Sequence, residues 1–280
     1  MVALPDLAPH AWVMLVCAAV VIGLSKAALP GINTISIAVF AAVLPAKAST
    51  GIVLLLLIVG DVFALLSYRR HADWRALLGL LPSVLAGLAL GAVFLLFAND
   101  DSVRRVIAVI LLCVIALTLW LRWGPSRRAR GAADRGTDRG TAAPNSAAET
   151  PGAASTAPAH NRGGLLERIW YGALAGFTTM VANAGGPVMS MYFFAARFQV
   201  LAFLGTAAWF FAVINLLKVP VAIGLGLITL DRAFISLTLA PAVIAGAFFG
   251  RWVAHRINQR AFEWVVVVGT VIGACYLLIG

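Results

Sequence analysis

Hydrophobic residues run in long stretches along most of this 280-residue chain, with short polar segments between them. A helix rises 1.5 Å per residue, so about 20 apolar residues cross the hydrocarbon core of a membrane. Six stretches are long enough and are predicted to span it: 48–68, 76–97, 104–122, 199–223, 233–254 and 262–279. The pattern therefore predicts an all-α polytopic membrane protein.

Four shorter apolar stretches form two pairs, and a proline next to a glycine interrupts each pair. The first pair is 11–24 with 31–45, and the second is 166–182 with 187–197. Each pair is predicted to form a re-entrant hairpin of two broken half-helices. The prediction is then about eight hydrophobic segments, counting each hairpin as one. For the first pair, the alternative is a full crossing with a cytoplasmic N-terminus.

A segment of different composition, residues 124–164, separates the two apolar halves. It contains no Leu, Ile, Val, Phe, Met, Trp or Tyr, so it cannot bury a core. We expect a disordered cytoplasmic linker between a first membrane repeat, 1–123, and a second, 165–280. Whether the linker also has a regulatory role is left open.

The two halves resemble each other. "LPSVLAGLALG" at 81–91 matches "APAVIAGAFFG" at 240–250, with one proline and two glycines in register. Asp61 and Asn215 each lie ten residues after an equivalent glycine. Matching positions of this kind predict a duplicated, transporter-type fold with two repeats.

Only 11% of the residues are charged, and the formal net charge is +10. The basic residues gather at the ends of apolar stretches, as in cytoplasmic loops, so they indicate orientation and not nucleic-acid binding. The basic loop is 68–75 in the first half but 251–260, one segment later, in the second. This shift predicts that the repeats are inverted, with both termini outside the cytoplasm.

Each break is predicted to start a half-helix whose N-terminus points into the membrane. Pro30 and Gly31 lie at the first break, and Gly186 and Pro187 lie at the second. Proline suits the first helical turn because its missing N–H would have no partner there. A helix N-terminus carries partial positive charge and unpaired N–H groups, so it can bind an anion.

Charged residues inside apolar stretches are costly, and Lys26, Asp61 and Lys218 are the ones away from segment ends. Lys218 lies three residues after Asn215, so both share a helix face. The repeat symmetry brings these residues together and predicts a net positive pocket for a small anion, with Asp61 as a coupling site. Further substrate-binding residues are predicted at Ser25, Gly31, Asn33, Thr178, Thr179, Asn183, Gly185, Gly186, Thr206, Trp209 and Asn215.

A purely structural role is the alternative for each of these polar residues. Lys26 and Lys218 would then extend toward the membrane surface, and Asp61 would only pair with a lysine. Hydroxyl groups in membrane helices often bond to their own backbone.

No sequence motif indicates an enzyme. The patterns HExxH, GxSxG, CxxC and GxxxxGK[ST] are all missing from the sequence. Cys17, Cys113 and Cys275 lie far apart in apolar stretches, and we interpret them as packing residues. The sequence therefore predicts no enzymatic activity, no cofactor and no metal site.

Four stretches resemble the TauE/SafE family of sulfite and organosulfonate exporters. They are "GLSKAALPG" (23–31), "GDVFALLSYRRHADWR" (60–75), "VANAGGPVMSMYFF" (181–194) and "GTAAWFFAVINLLKVP" (205–220). The resemblance covers nearly the whole chain except the linker, and departs at Ala28, where glycine is expected. It implies a multi-pass transporter of the bacterial inner membrane for sulfite, sulfonates or sulfoacetate.

Together these features predict a secondary transporter that moves a small anion by alternating access, with export as the expected direction. An anion channel with the same pocket, or a transporter of another small organic anion, is the alternative. The expected partners are the anionic substrate and membrane lipid, but not nucleic acid. The oligomeric state, including a homodimer, is left open.

Overall fold

The computed structural model of the chain describes residues 7–28, 33–123, 165–195, 200–253 and 259–279. Within these ranges there are ten α-helices and one short 3-10 helix at Arg69–His71, and no β-strand. The all-α prediction is thus confirmed. The helices are α1 (Pro9–Ala28), α2 (Thr34–Val43), α3 (Ala46–Tyr68), α4 (Trp74–Phe97), α5 (Asp100–Trp123), α6 (Leu165–Ala182), α7 (Gly185–Ala195), α8 (Val200–Gly224), α9 (Leu230–Val253) and α10 (Gln259–Ile279).

Five segments in the described part of the chain are long and apolar enough to cross a membrane. Their outward faces carry exposed large apolar side chains such as Leu66, Leu90 and Leu237, as contact with lipid requires. The prediction of a multi-pass membrane protein is confirmed. The five segments are Pro9–Ala27, Ala46–His71, Trp74–Phe97, Ala202–Gly224 and Leu230–Gly250.

The first helix is longer than the apolar pattern predicted. α1 continues through Ser25 and Lys26 to Ala28, which gives it 20 residues, so it has the length of a full membrane crossing and not of the predicted half-helix. Ser25 and Lys26 end the apolar run at residue 24, but the helix continues, because the Lys26 ammonium forms an ion pair with Asp61 on α3.

The two breaks differ in what the structure describes. Pro30 and Gly31 lie outside the described residues, as does the predicted linker 124–164. At the second break α6 ends at Ala182, α7 begins at Gly185, and Pro187 lies in the first turn of α7. This position is the one in which proline costs a helix least.

Glycines bring two pairs of helices into backbone contact. α1 packs along α9, and α4 packs along α6, in the two most extensive helix contacts of the described chain. A Cβ atom at Gly246 would lie 2.1 Å from the carbonyl oxygen of Val20, and one at Gly87 would lie 2.0 Å from that of Ala173. Small residues thus allow close helix approach where lipid offers little hydrophobic driving force.

Helices α3 and α8 pack against each other in antiparallel directions. Gly51, near the start of α3, contacts Leu227, which follows α8. Gly205, near the start of α8, contacts the backbone of Tyr68 and His71 at the end of α3. This pairing places the middle of one helix beside the middle of the other, where the candidate site lies.

The three cysteines do not contribute to the core. Cys17, Cys113 and Cys275 are all exposed on the helix surfaces, so their interpretation as packing residues is wrong. The reason is that an apolar position in a membrane helix can face lipid as well as the protein interior. Among the described residues, no group of three or more His, Cys, Asp or Glu side chains could hold a metal ion.

Candidate functional site

A cavity of about 50 Å³ lies among α1, α3, α6, α7 and α8. This volume holds more than one water molecule, and its walls are partly polar. Eight residues singled out from the sequence line it: Ser25, Lys26, Asn33, Asp61, Thr179, Asn183, Gly186 and Asn215. The packing of both halves therefore brings most of the predicted site together.

Lys26 and Asp61 form an ion pair at the cavity wall. The Nζ atom of Lys26 lies 2.5 Å from Oδ1 of Asp61 and 4.7 Å from the ring centre of Phe211. The Lys26 side chain is 12% exposed, whereas the Asp61 side chain is only 4% exposed. The Lys26 side chain is therefore more accessible than the Asp61 side chain.

Asp61 also connects the two halves of the protein. Nδ2 of Asn215 on α8 donates a hydrogen bond of 2.6 Å to Oδ2 of Asp61. The other amide atom, Oδ1 of Asn215, is buried without a hydrogen-bond partner among the described residues. The amide thus uses its donor on the carboxylate and leaves an acceptor unused.

Lys218 binds the C-terminal end of α6 and does not line the cavity. The buried Nζ atom donates to the carbonyl oxygen of Thr179 and to Oδ1 of Asn183, both at 2.6 Å. The last carbonyls of a helix lack partners and carry partial negative charge. Lys218 therefore offsets the negative end of α6 at the second break.

Asn183 shapes the second break. Its φ of 54° is in the left-handed region, which ends a helix and which asparagine tolerates better than most residues. Its Nδ2 donates to the carbonyl oxygen of Thr50 at 2.9 Å, while the Thr50 hydroxyl lies 3.1 Å from the carbonyl oxygen of Val181. These bonds attach the break to α3.

The remaining predicted residues lie away from the cavity wall. The Thr178 hydroxyl donates to the carbonyl of Leu174 in its own helix, and Gly185 packs against Thr179. The Thr206 hydroxyl accepts from the backbone N–H of Asp73 at 2.8 Å. The indole N–H of Trp209 donates to the carbonyl of Arg69 at 3.2 Å, and the Trp209 ring lies against that of Trp74.

Sequence reasoning missed Tyr68, which lines the cavity and whose hydroxyl donates to the carbonyl oxygen of Ala27 at 3.2 Å. A periodic signal was available in the sequence. On α3 the lining residues Leu57, Asp61, Ala64 and Tyr68 follow the helical spacing that places them on one face. Starting from Asp61, that spacing reaches Tyr68 two turns later.

A family model described as "Sulfite exporter TauE/SafE" matches residues 15–277 of the chain. The chain has no match among curated proteins and none among solved structures. The matched region contains every residue of the cavity wall. The chain therefore belongs to the TauE/SafE sulfite exporter family, whose members are membrane transporters of sulfite and related sulfur compounds and not enzymes.

Proposed function

We propose that this protein is a secondary transporter that moves a small anion through the central cavity by alternating access. The substrate class is a sulfur oxyanion such as sulfite, or an organosulfonate, and the expected direction is export across the bacterial inner membrane. The observation that carries the proposal is the ammonium of Lys26, a cation inside the membrane that faces a cavity. Intramembrane charges are costly and usually belong to substrate or ion pathways.

The helix ends around the cavity add to this positive field. Lys26 lies in the last turn of α1, and Lys218 bonds to the last turn of α6, so both negative helix ends are offset. Gly186, in the first turn of α7, lines the cavity. Because the N-terminal end of α7 has no such counter-charge among the described residues, its N–H groups favour an anion.

Alternating access follows from a second part of the proposal, two inverted repeats. Each repeat would consist of a helix pair that turns back at a break and three spanning helices; in the first repeat α1 is itself long enough to cross the membrane. The antiparallel packing of α3 and α8 supports inversion, since these helices are equivalent in the two halves. Rocking of one repeat against the other would then expose the cavity to each side in turn.

Matching helix contacts support the same symmetry. A Cβ atom at Gly23 of α1 would meet the carbonyl of Val243 on α9, and one at Gly176 of α6 would meet the carbonyl of Val84 on α4. Val84 and Val243 are equivalent in the aligned repeats. For the re-entrant turn, the Ser36 hydroxyl of α2 donates to the carbonyl of Ala18, so α2 folds back along α1.

The proposal is tested by anion uptake into proteoliposomes with sulfite, sulfoacetate and ethanesulfonate, each corrected for leakage into protein-free liposomes. We expect saturable uptake by the wild type and a loss of about 10- to 100-fold in Lys26→Gln. The reason is that a hydrogen bond to a charged group contributes roughly 1.5–3 kcal/mol. Lys47→Gln, at the start of α3 and away from the cavity, is the matched control.

Wild-type rates in Lys26→Gln would contradict a role for this ammonium in anion binding. The same vesicles separate a transporter from a channel. A carrier that works by alternating access exchanges labelled for unlabelled anion, so unlabelled anion on the far side should accelerate uptake. Uptake without such acceleration would favour the anion channel.

A further inference from the structure

We infer that each anion is moved together with one proton, which Asp61 carries after the anion takes its place on Lys26. The inference rests on the proposed function and adds the coupling ion and its stoichiometry. It follows from three features of the site: the exposure of the ion pair, the lack of a second cation bonded to Asp61 among the described residues, and the unused acceptor of Asn215.

An anion that binds Lys26 must compete with Asp61. Nζ of Lys26 contacts Oδ1 of Asp61 in a cavity of about 50 Å³, so a bound anion lies next to the carboxylate. Two negative charges that share one site in a poorly solvated environment cannot both persist without penalty. Binding of the anion therefore weakens the ion pair and favours the neutral form of Asp61.

Lys26 is the one cation that forms an ion pair with Asp61 within the described part of the chain. The ammonium of Lys218 is bonded to Thr179 and Asn183 at the end of α6. A buried carboxylate without its counter-ion is costly. Uptake of one proton from water by a carboxylate oxygen removes that cost, and no bond in the anion is made or broken.

Charged groups lie toward both ends of α3. Arg69, Arg70 and His71 follow it directly, and Arg251 of α9 comes after Gly250, which packs against Leu24 and Ala27 of α1. A second group lies near the start of α3. The Asp100 carboxylate accepts from the backbone N–H groups of Ala46 and Lys47, so the start of α5 lies beside the start of α3. The start of α9 lies there too, because the Ser236 hydroxyl of that helix is 3.4 Å from the carbonyl of Ile52. The charged residues at these ends are Asp100, Asp101, Arg104, Arg105, Asp231 and Arg232.

Asn215 can form a hydrogen bond with either protonation state of Asp61. Nδ2 of Asn215 donates to the ionised carboxylate, as the structure shows. A protonated carboxyl group is itself a donor and needs an acceptor. Rotation of the amide by about half a turn would present Oδ1, which now has no partner, to the Asp61 hydroxyl.

The charge balance makes the coupled step electroneutral. Without substrate, Lys26 and Asp61 carry opposite charges that cancel. With substrate, the monoanion cancels Lys26, and protonated Asp61 is neutral. Because both forms carry the same net charge, a pH gradient should drive transport and the membrane potential should not. The anion moves away from the acidic side, so export from a cell that is acid outside requires an outward anion gradient larger than the inward proton gradient.

The test uses wild-type protein in proteoliposomes with an internal pH dye and labelled anion, and with pH gradient and potential imposed separately. The anion is ethanesulfonate, which carries one negative charge; sulfoacetate carries two, and sulfite near neutral pH carries one or two, so one proton would not neutralise them. We expect one proton per anion, uptake accelerated by external acid, and no effect of potential at equal pH. Ethanesulfonate is the preferred probe because it stays ionised and cannot carry the proton itself.

Asp61→Asn tests whether Asp61 carries the proton. The variant keeps a side chain that can bond to Asn215 and resembles the neutral carboxyl group. We expect retained exchange of anion for anion, no proton movement and no response to the pH gradient. Asp231→Asn, at an exposed position near the start of α9, is the matched control and should behave like the wild type.

The outcomes separate the proton coupling from the proposed transport. Anion uptake without proton movement, or uptake driven by potential alone, would overturn the coupling but leave the proposed transporter intact. A full pH response in Asp61→Asn would also overturn it. If no anion moves, the proposed function fails together with the coupling. If Asp61→Asn does not fold, the number of protons moved per anion by the wild type tests the coupling: one supports it and zero overturns it.

Discussion

Gly246→Leu is expected to prevent recovery of folded, monodisperse protein. A Cβ atom at this position would lie 2.1 Å from the carbonyl oxygen of Val20, and that oxygen belongs to the backbone of α1. No side-chain rotation can relieve the clash, so α1 and α9 would have to separate along their most extensive contact. Overpacking costs about 1–3 kcal/mol when side chains can adjust, and a backbone clash costs more.

Gly87→Leu should reduce the recovery of folded protein to a similar extent, because a Cβ atom at Gly87 would lie 2.0 Å from the carbonyl oxygen of Ala173. The measurement is the yield and thermal stability of purified protein by size-exclusion chromatography after heating. Gly224→Leu is the control, since nothing lies within 4 Å of a Cβ atom there. Wild-type stability in either Gly246→Leu or Gly87→Leu would contradict the close helix packing.

Asn183→Val is expected to destabilise the protein by about 2–6 kcal/mol. A β-branched residue at a φ of 54° is strained by roughly 1–3 kcal/mol. The change also removes the amide bonds to Thr50 and Lys218, and an unsatisfied buried polar group costs about 1–3 kcal/mol. The sum is a large part of a total stability of about 5–15 kcal/mol.

Asn183→Gly separates the two contributions. Glycine adopts the left-handed conformation without strain but also lacks the amide, so we expect a smaller loss than in Asn183→Val. Thermal stability of the purified variants beside the wild type measures both. Equal losses in the two variants would show that backbone strain does not contribute, and no loss in either would mean that Asn183 does not hold the break.

Much of the architecture could be predicted from the chain alone because it depends on local properties. The length of an apolar stretch indicates whether a helix can cross a membrane, and this indicated α3, α4, α8 and α9 to within a few residues. The second break was predicted from Gly186 and Pro187, since proline has a strong preference for the first helical turn.

Part of the candidate site was also predictable, for an energetic reason. A charge inside an apolar stretch must have a partner or a function, so Lys26 and Asp61 stood out without any structure. Asp61 and Asn215 hold equivalent positions in the two halves, so the repeat symmetry predicted that they lie in one region, and the structure joins them by a hydrogen bond.

Only the tertiary structure decided where each polar group points. The same face of α8 carries Asn215 and Lys218, yet one contacts Asp61 and the other the end of α6, because different helices pack beside them. The sequence by itself determined the membrane class, the two matching halves and the costly internal charges, all of which are properties of composition along the chain. The partners of those charges, the lipid-facing cysteines and the cavity depend on how distant helices pack, which residue order alone does not specify.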